Sequence, residues 1–142
     1  MIVSITQLAE KLKEEMEWQA TPEALSDEQY ADMIINGLEK LYIDTNRPTL
    51  YDKSLFILND DGELIYNADL PINEIAYIML CAKMAFLRKV QTDVNNIVSY
   101  STNALSVANA DKPYMNIKDS LMEFEHERRI LYYKMVDYTL GE

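Results

Sequence analysis

The longest apolar stretch of the chain, residues 72–90, predicts a helix that is covered on almost every side. Between Ile75 and Leu87 the only charged residue is Lys83, whereas a helix on a protein surface normally keeps one polar face. The rest of the chain is short and acidic and offers little other strong core material. We therefore expect four residues to be largely buried, some of them only against another subunit: Ile78, Leu80, Met84 and Leu87.

Two amphipathic helices are predicted before this stretch, over residues 4–18 and 26–43. In the first, apolar residues recur at the spacings of one helix face: Ile5, Leu8, Ala9, Leu12 and Met16. The second begins with Ser26 and Gln29, which form a capping-box pattern. Gly37 lies inside the apolar stripe of this second helix, so we expect another backbone to approach closely there.

A β-hairpin is predicted between the second and third helices. Residues 54–58 and 63–67 are apolar runs on either side of the turn Asn59-Asp60-Asp61-Gly62. Two strands alone are marginally stable, so this hairpin must pack on another element.

The third helix is predicted over residues 71–92, with Pro71 near its first turn. Residues 93–113 are small and polar, and their apolar members nearly alternate, which favours an extended arm or a second hairpin. A last helix over 116–138 carries a heptad-like stripe: Ile117, Leu121, Phe124, Arg128, Leu131, Met135 and Tyr138. The prediction is a mainly α single domain over 1–142, a bundle of about four helices within which residues 1–92 carry the small hairpin.

The charge of the chain is strongly negative and unevenly distributed. Its 142 residues carry a formal net charge of −11, which disfavours binding to nucleic acids and to anionic membranes. Residues 1–32 contain eight acidic residues, whereas residues 75–92 contain three basic residues and no acidic one. A subunit with one acidic and one basic surface can pack head to tail and close into a ring. The alternative is that these charged residues simply form the solvent-exposed faces of the helices.

Motifs for catalysis or metal binding are few, and each has a simpler interpretation. The single cysteine, Cys81, falls in the apolar helix and is interpreted as a buried hydrophobic residue. The single histidine, His126, falls in a charge-rich helix face and is expected to be solvated. Glu14 and Glu17 resemble half of the site of all-α Mg²⁺-dependent pyrophosphohydrolases, but the second acidic pair is missing.

The acidic segment 60–63 fits a hairpin turn better than a calcium loop, which needs more spaced oxygen ligands. We therefore expect no enzyme activity, no cofactor and no metal site.

Interface residues are predicted from tyrosine usage and from the arm. Ten tyrosines are a high count, and tyrosine is enriched at protein interfaces, although some can simply cap the edge of a core. Arg128, the odd member of the last stripe, is expected either to extend its charged end to the edge of the stripe or to pair with an acid on a neighbouring helix or subunit. The candidate interface residues are Tyr100, Leu105, Val107, Tyr114, Arg128, Tyr132 and Tyr133.

The layout of the chain resembles that of bacteriophage head–tail connector, or adaptor, proteins. Three stretches carry the resemblance: LSDEQY at 25–30 leading to LYIDTNR at 41–47, the apolar helix at 72–90, and YSTNALSV at 100–107 followed by KPY at 112–114 and the closing helix. The resemblance implies a virion structural protein of the neck, which forms a homo-oligomeric ring beneath the portal protein and above tail-side connector or stopper proteins. DNA would pass through this ring without specific binding.

The resemblance, together with the N-terminal residues and the length of the apolar run, predicts where the protein is made and where it acts. The first residues have no signal-peptide pattern and the apolar run is too short to span a bilayer, so we expect synthesis in the host cytoplasm and no membrane contact. The alternative function is a small all-α oligomeric interaction or regulatory protein.

Overall fold

The computed structural model describes the backbone of residues 1–16, 25–100 and 104–140, and the side chains of residues 1–16, 25–92 and 117–136. Within these residues the chain is mainly helical, with four α-helices and a small antiparallel sheet, so the predicted class is confirmed. The elements are β1 (Val3–Ser4), α1 (Ile5–Met16), α2 (Asp27–Asp44), β2 (Phe56–Leu58), β3 (Leu64–Tyr66), α3 (Ile72–Tyr100) and α4 (Ala104–Leu140).

The first two helices form where the pattern predicted them, except that residues 17 and 18 of the first prediction lie outside the described residues. The buried side of α1 consists of Ile5, Ala9, Leu12 and Met16. At the start of α2 the Ser26 side chain accepts a hydrogen bond from the Gln29 amide, and the Ser26 amide donates to the Gln29 side chain at 2.8 Å. The predicted capping box is therefore confirmed, and it satisfies amides that the first turn of a helix leaves unpaired.

The predicted hairpin is confirmed as β2 and β3, and it pairs with a further strand, β1, that was not predicted. The strand order is β1-β3-β2, with Val3 opposite Tyr66 and Ser4 opposite Ile65. Gly62 adopts a positive φ of 78° in the turn, a conformation that glycine accepts without strain. The central strand brings Tyr66, which is 0 % exposed, into the core.

The apolar helix α3 is the centre of the core. Ile78, Met84 and Leu87 are buried within the single chain, whereas Leu80 is only partly buried. Burial of Ile78, Met84 and Leu87 therefore does not require a second subunit. Gly37 of α2 lies against the backbone of α3, which confirms the close approach predicted at this glycine.

Helices α3 and α4 pack as an antiparallel pair. Tyr77 contacts Arg128 near one end of the contact, and Lys83 lies 5.8 Å from the Phe124 ring centroid further along. Residue numbers therefore rise along α3 as they fall along α4, as expected for two helices joined by a short connection.

The extended arm predicted at 93–113 is wrong wherever the structure describes its backbone. Residues 93–100 continue α3, and residues 104–113 are the first part of α4. The apolar residues Val90, Val94, Ile97 and Val98 follow one another at spacings of four, three and one. This spacing continues a helix face, and no glycine or proline interrupts residues 93–112. The high content of Asn and Ser was therefore a poorer guide than the helical spacing.

Candidate functional site

A cluster of polar side chains connects α2, α3 and α4 around Tyr77. The Tyr77 side chain is 0 % exposed. Its hydroxyl donates a hydrogen bond to the Asp44 carboxylate and accepts one from Arg128 Nη1 at 2.7 Å. Burial, with the hydrogen bond to Asp44, raises the pKa of Tyr77 well above its ordinary value. The hydroxyl therefore stays protonated at neutral pH and holds the three helices in register.

Arg128 is held mainly by Glu125, one turn earlier on α4. Its Nη2 and Nε atoms lie 2.6 and 3.1 Å from the two Glu125 carboxylate oxygens, a bidentate geometry that strengthens the pair. The hydrogen bond from Arg128 lowers the pKa of Glu125. Arg128 Nη1 also lies 3.4 Å from the Asp44 carboxylate on α2. Of the two interpretations of Arg128, pairing with an acid on a neighbouring helix is the one that the geometry supports, and this acid belongs to the same chain.

A groove of about 750 Å³ opens beside this cluster, and we call it the basic groove. Helices α2, α3 and α4 all contribute to its walls. Its cationic side chains are Lys40, Arg88, Lys118, Arg128 and Arg129, with His126 beside them, and Glu125 is the one acidic residue among the described side chains that line it. In a chain whose net charge is −11, this concentration of cations is a local reversal of sign.

Two of these cations have no ionic partner among the side chains that the structure describes. Lys40 lies 3.5 Å from Asp44, and Arg129 lies 3.3 Å from Glu125, whereas no such pair involves Arg88 or Lys118. These two side chains are therefore available to an external anion.

The remaining walls of the basic groove are apolar. Cys81, Met84, Leu121 and Met122 line it, and Met122 is 65 % exposed. Burial raises the pKa of the Cys81 thiol to about 11, so the thiol is protonated at neutral pH and is a poor nucleophile. His126 is exposed on this groove, as the sequence predicted.

A second, smaller cavity of about 260 Å³ lies between α1 and α2, and we call it the acidic cleft. Glu10, Asp27 and Glu28 line it, and all three are exposed. Asp27 also lies 3.5 Å from Lys13 Nζ. Of the six acidic residues described within 1–32, these three therefore line one cavity, whereas Glu14, Glu15 and Asp32 do not.

The other predicted interface residues fall into two groups. Tyr132 is half-buried and Tyr133 is 62 % exposed, and their rings contact edge to face with centroids 5.6 Å apart. The side chains of Tyr100, Leu105, Val107 and Tyr114 lie outside the described residues.

The basic groove was not predictable from the sequence. Its cations come from three helices that are far apart in the chain, and the only sequence signal was the basic excess over residues 75–92. Of that excess, Arg88 lines the groove, whereas Lys83 lies elsewhere, with Nζ 2.9 Å from Glu15.

Among the described residues, no group of three or more His, Cys, Asp or Glu side chains is placed to hold a metal ion. None of the helices, over the part described, has the length and apolar character needed to cross a bilayer. Glu14 is exposed, and its proposed partner Glu17 lies outside the described residues. No protein family, curated protein or solved structure matches this chain.

Proposed function

We propose that this protein is a structural subunit that assembles head to tail into a closed ring, and that the ring is a head–tail connector in the neck of a bacteriophage. The observation that carries the proposal is the presence of surfaces of opposite charge on one small body. The basic groove lies on α2, α3 and α4, and the acidic cleft lies on α1 and α2. Different surfaces that complement each other produce heterologous contacts, which generate rings when the rotation closes.

The overall charge suits a channel for DNA. Phosphates are repelled by carboxylates at short distance, so a ring whose channel surface is acidic lets DNA pass without binding it. The net charge of −11 per subunit is multiplied by every copy in the ring. The cations of the basic groove would be covered in subunit contacts and would not line the channel.

The resemblance of the chain to adaptor proteins supports the more specific part of the proposal, which is a place in the virion neck. The partners would then be the portal protein on one side and tail-side connector or stopper proteins on the other. Tyr100, Leu105, Val107 and Tyr114 remain candidate residues for these contacts.

A small all-α dimer is the second candidate, and one observation favours it. Met122, Ile130 and Tyr133 of α4 are 65 %, 44 % and 62 % exposed. Their separations of eight and three residues place them on one side of the helix. Two copies of this exposed apolar face can pair with each other around a two-fold axis.

Light scattering and electron microscopy of the purified protein, alone and mixed with the portal protein of the same phage, test the proposal. We expect particles of several subunits around an open channel, formed spontaneously or on the portal. A dimer that neither grows with concentration nor joins the portal contradicts the connector function and supports the second candidate. In that case changing both Ile130 and Tyr133 to Ser would produce a monomer.

A further inference from the structure

We infer that the basic groove of one subunit receives the acidic cleft of a second copy of this chain. The inference rests on the proposed function, because it identifies the two surfaces that meet in each head-to-tail contact. It goes further in naming the residues: Arg88 and Lys118 on one subunit, and Glu10 and Glu28 on the next.

The basic groove carries the positive charge needed to bind an anion, and two of its cations have no ionic partner among the described side chains. Arg128 is already engaged by Glu125, Asp44 and Tyr77, so it forms a fixed part of the wall. Arg88 and Lys118 are exposed and, among the described side chains, have no ionic partner. Carboxylates from outside can reach these two without breaking an internal pair.

The walls of the basic groove favour a polypeptide over a free small anion. Met84, Leu121 and Met122 present apolar surface beside the cations, and burying apolar surface contributes to association only when the ligand is also partly apolar. The acidic cleft has that mixed character, because Ala9, Tyr30 and Ala31 line it together with its acids. The basic groove and the acidic cleft therefore carry opposite charges, and both are partly apolar.

The acidic cleft of a subunit cannot fill the basic groove of the same subunit. Helix α2 carries Glu28 in its first turn and Lys40 near its end. Twelve residues of helix separate them by about 18 Å at 1.5 Å per residue. Since one continuous helix holds the two surfaces apart, their complementarity can be satisfied only between molecules, and each subunit then has one contact on either side.

A charge-swap experiment tests this pairing. The groove variant carries Arg88→Glu and Lys118→Glu, and the cleft variant carries Glu10→Lys and Glu28→Lys. In each variant alone the swapped positions face like charges across every contact, so we expect its self-association, measured by sedimentation velocity, to be on the order of a hundredfold weaker than that of the wild type. In an equal mixture the swapped positions of one variant face opposite charges on the other, so assembly should return with the two variants alternating.

The matched control reverses two exposed lysines that lie outside the basic groove, Lys11→Glu and Lys53→Glu. It changes the net charge by the same amount as the groove variant, and we expect it to assemble like the wild type at 0.15 M salt, at which the Debye length is about 8 Å. Circular dichroism of all variants verifies that each one folds.

The results separate this inference from the proposed function. If the wild type forms rings and the groove variant forms them equally well, the pairing is wrong and the ring remains. A mixture that fails to assemble also contradicts the pairing. If the wild type stays monomeric at every concentration, a second copy of the chain does not occupy the basic groove. Binding of the protein to the portal then tests the connector function separately. Tight binding of a fluorescent single-stranded oligonucleotide that is lost in the groove variant would assign the groove to nucleic acid and overturn the inference.

Discussion

Gly37 on α2 lies directly against the backbone of Ile78 on α3. A Cβ atom at Gly37 would come 2.8 Å from the Ile78 carbonyl oxygen and 3.3 Å from Ile78 Cγ2. A backbone carbonyl cannot rotate aside as the end of a long side chain does, so any side chain at this position would push the two helices apart. The contact lies in the core, because Ile78 is 1 % exposed and the neighbouring Leu38 is 0 % exposed.

Gly37→Ala should lower the free energy of unfolding by about 1–3 kcal/mol, the usual cost of overpacking a core. The sign of the change in unfolding free energy is informative. Alanine is a better helix former than glycine by about 1 kcal/mol, so the substitution would stabilise α2 if there were space for the methyl group. Urea unfolding followed by circular dichroism measures the change. Asn36→Ala, at an exposed position of the same helix, is the control and should be neutral or slightly stabilising. An equally stable Gly37→Ala protein would show that α2 and α3 do not pack this closely.

Arg128→Met should destabilise the protein by about 2 kcal/mol, because it removes the charged donor of the Tyr77 hydroxyl and leaves Asp44 with Lys40 as its remaining cation. Arg129→Met is the matched control on the same helix. The Arg129 side chain also contacts Glu125, but it is 68 % exposed, so its loss should cost less than about 0.5 kcal/mol. Equal effects of the two changes would mean that the cluster around Tyr77 adds nothing to stability.

A double-mutant cycle with Tyr77→Phe measures the coupling directly. We expect the double variant to be more stable than the sum of the two single effects predicts, since each single change already removes the shared hydrogen bond. Simple additivity would contradict a direct interaction between these two side chains.

The protein should lose stability as the pH rises above about 10. Burial raises the pKa of Tyr42 from 10.0 to about 12, and it also raises the pKa of Tyr77. In the unfolded chain both hydroxyls lose their protons near pH 10. The folded state therefore binds more protons than the unfolded state above that pH, and the free energy of unfolding falls as the pH rises toward the folded-state values. Urea midpoints at pH 7, 9 and 11 test this, and Tyr42→Phe should reduce the decrease.

Leu87 and Leu80 should respond differently to substitution, although both lie in the same apolar run. Leu87 is 0 % exposed, so Leu87→Ala should cost about 2–5 kcal/mol. Leu80 is only partly buried, so Leu80→Asp should leave a folded monomer that assembles poorly. Thermal unfolding and sedimentation velocity together measure both effects. A Leu80→Asp variant that is folded and fully assembled would show that this side chain faces solvent in the assembly.

Features that depend on neighbours in the chain were predictable, and features that depend on distant residues were not. The capping box at Ser26, the turn at Gly62 and the buried stripe of α1 are all encoded within a few residues. Strand β1 was missed because two residues are too few to show alternation. The basic groove was missed because Lys40, Arg88 and Lys118 come together only after three helices have packed. The arm was predicted wrongly because polar composition was given more weight than helical spacing.

Strand β1 has a consequence for the order in which the chain folds. Helices α1 and α2, α2 and α3, and α3 and α4 are packed pairs of consecutive helices. Each pair closes a shorter loop than the pairing of β1 with β3 does, so we expect the helical contacts to form sooner. By contrast, Val3 finds its partner Tyr66 more than sixty residues away. The helical pairs should therefore assemble first, and β1 should complete the sheet as a late step. We also expect β1 to separate from β3 before β2 does, because β1 has two residue pairs in the sheet and β2 has three.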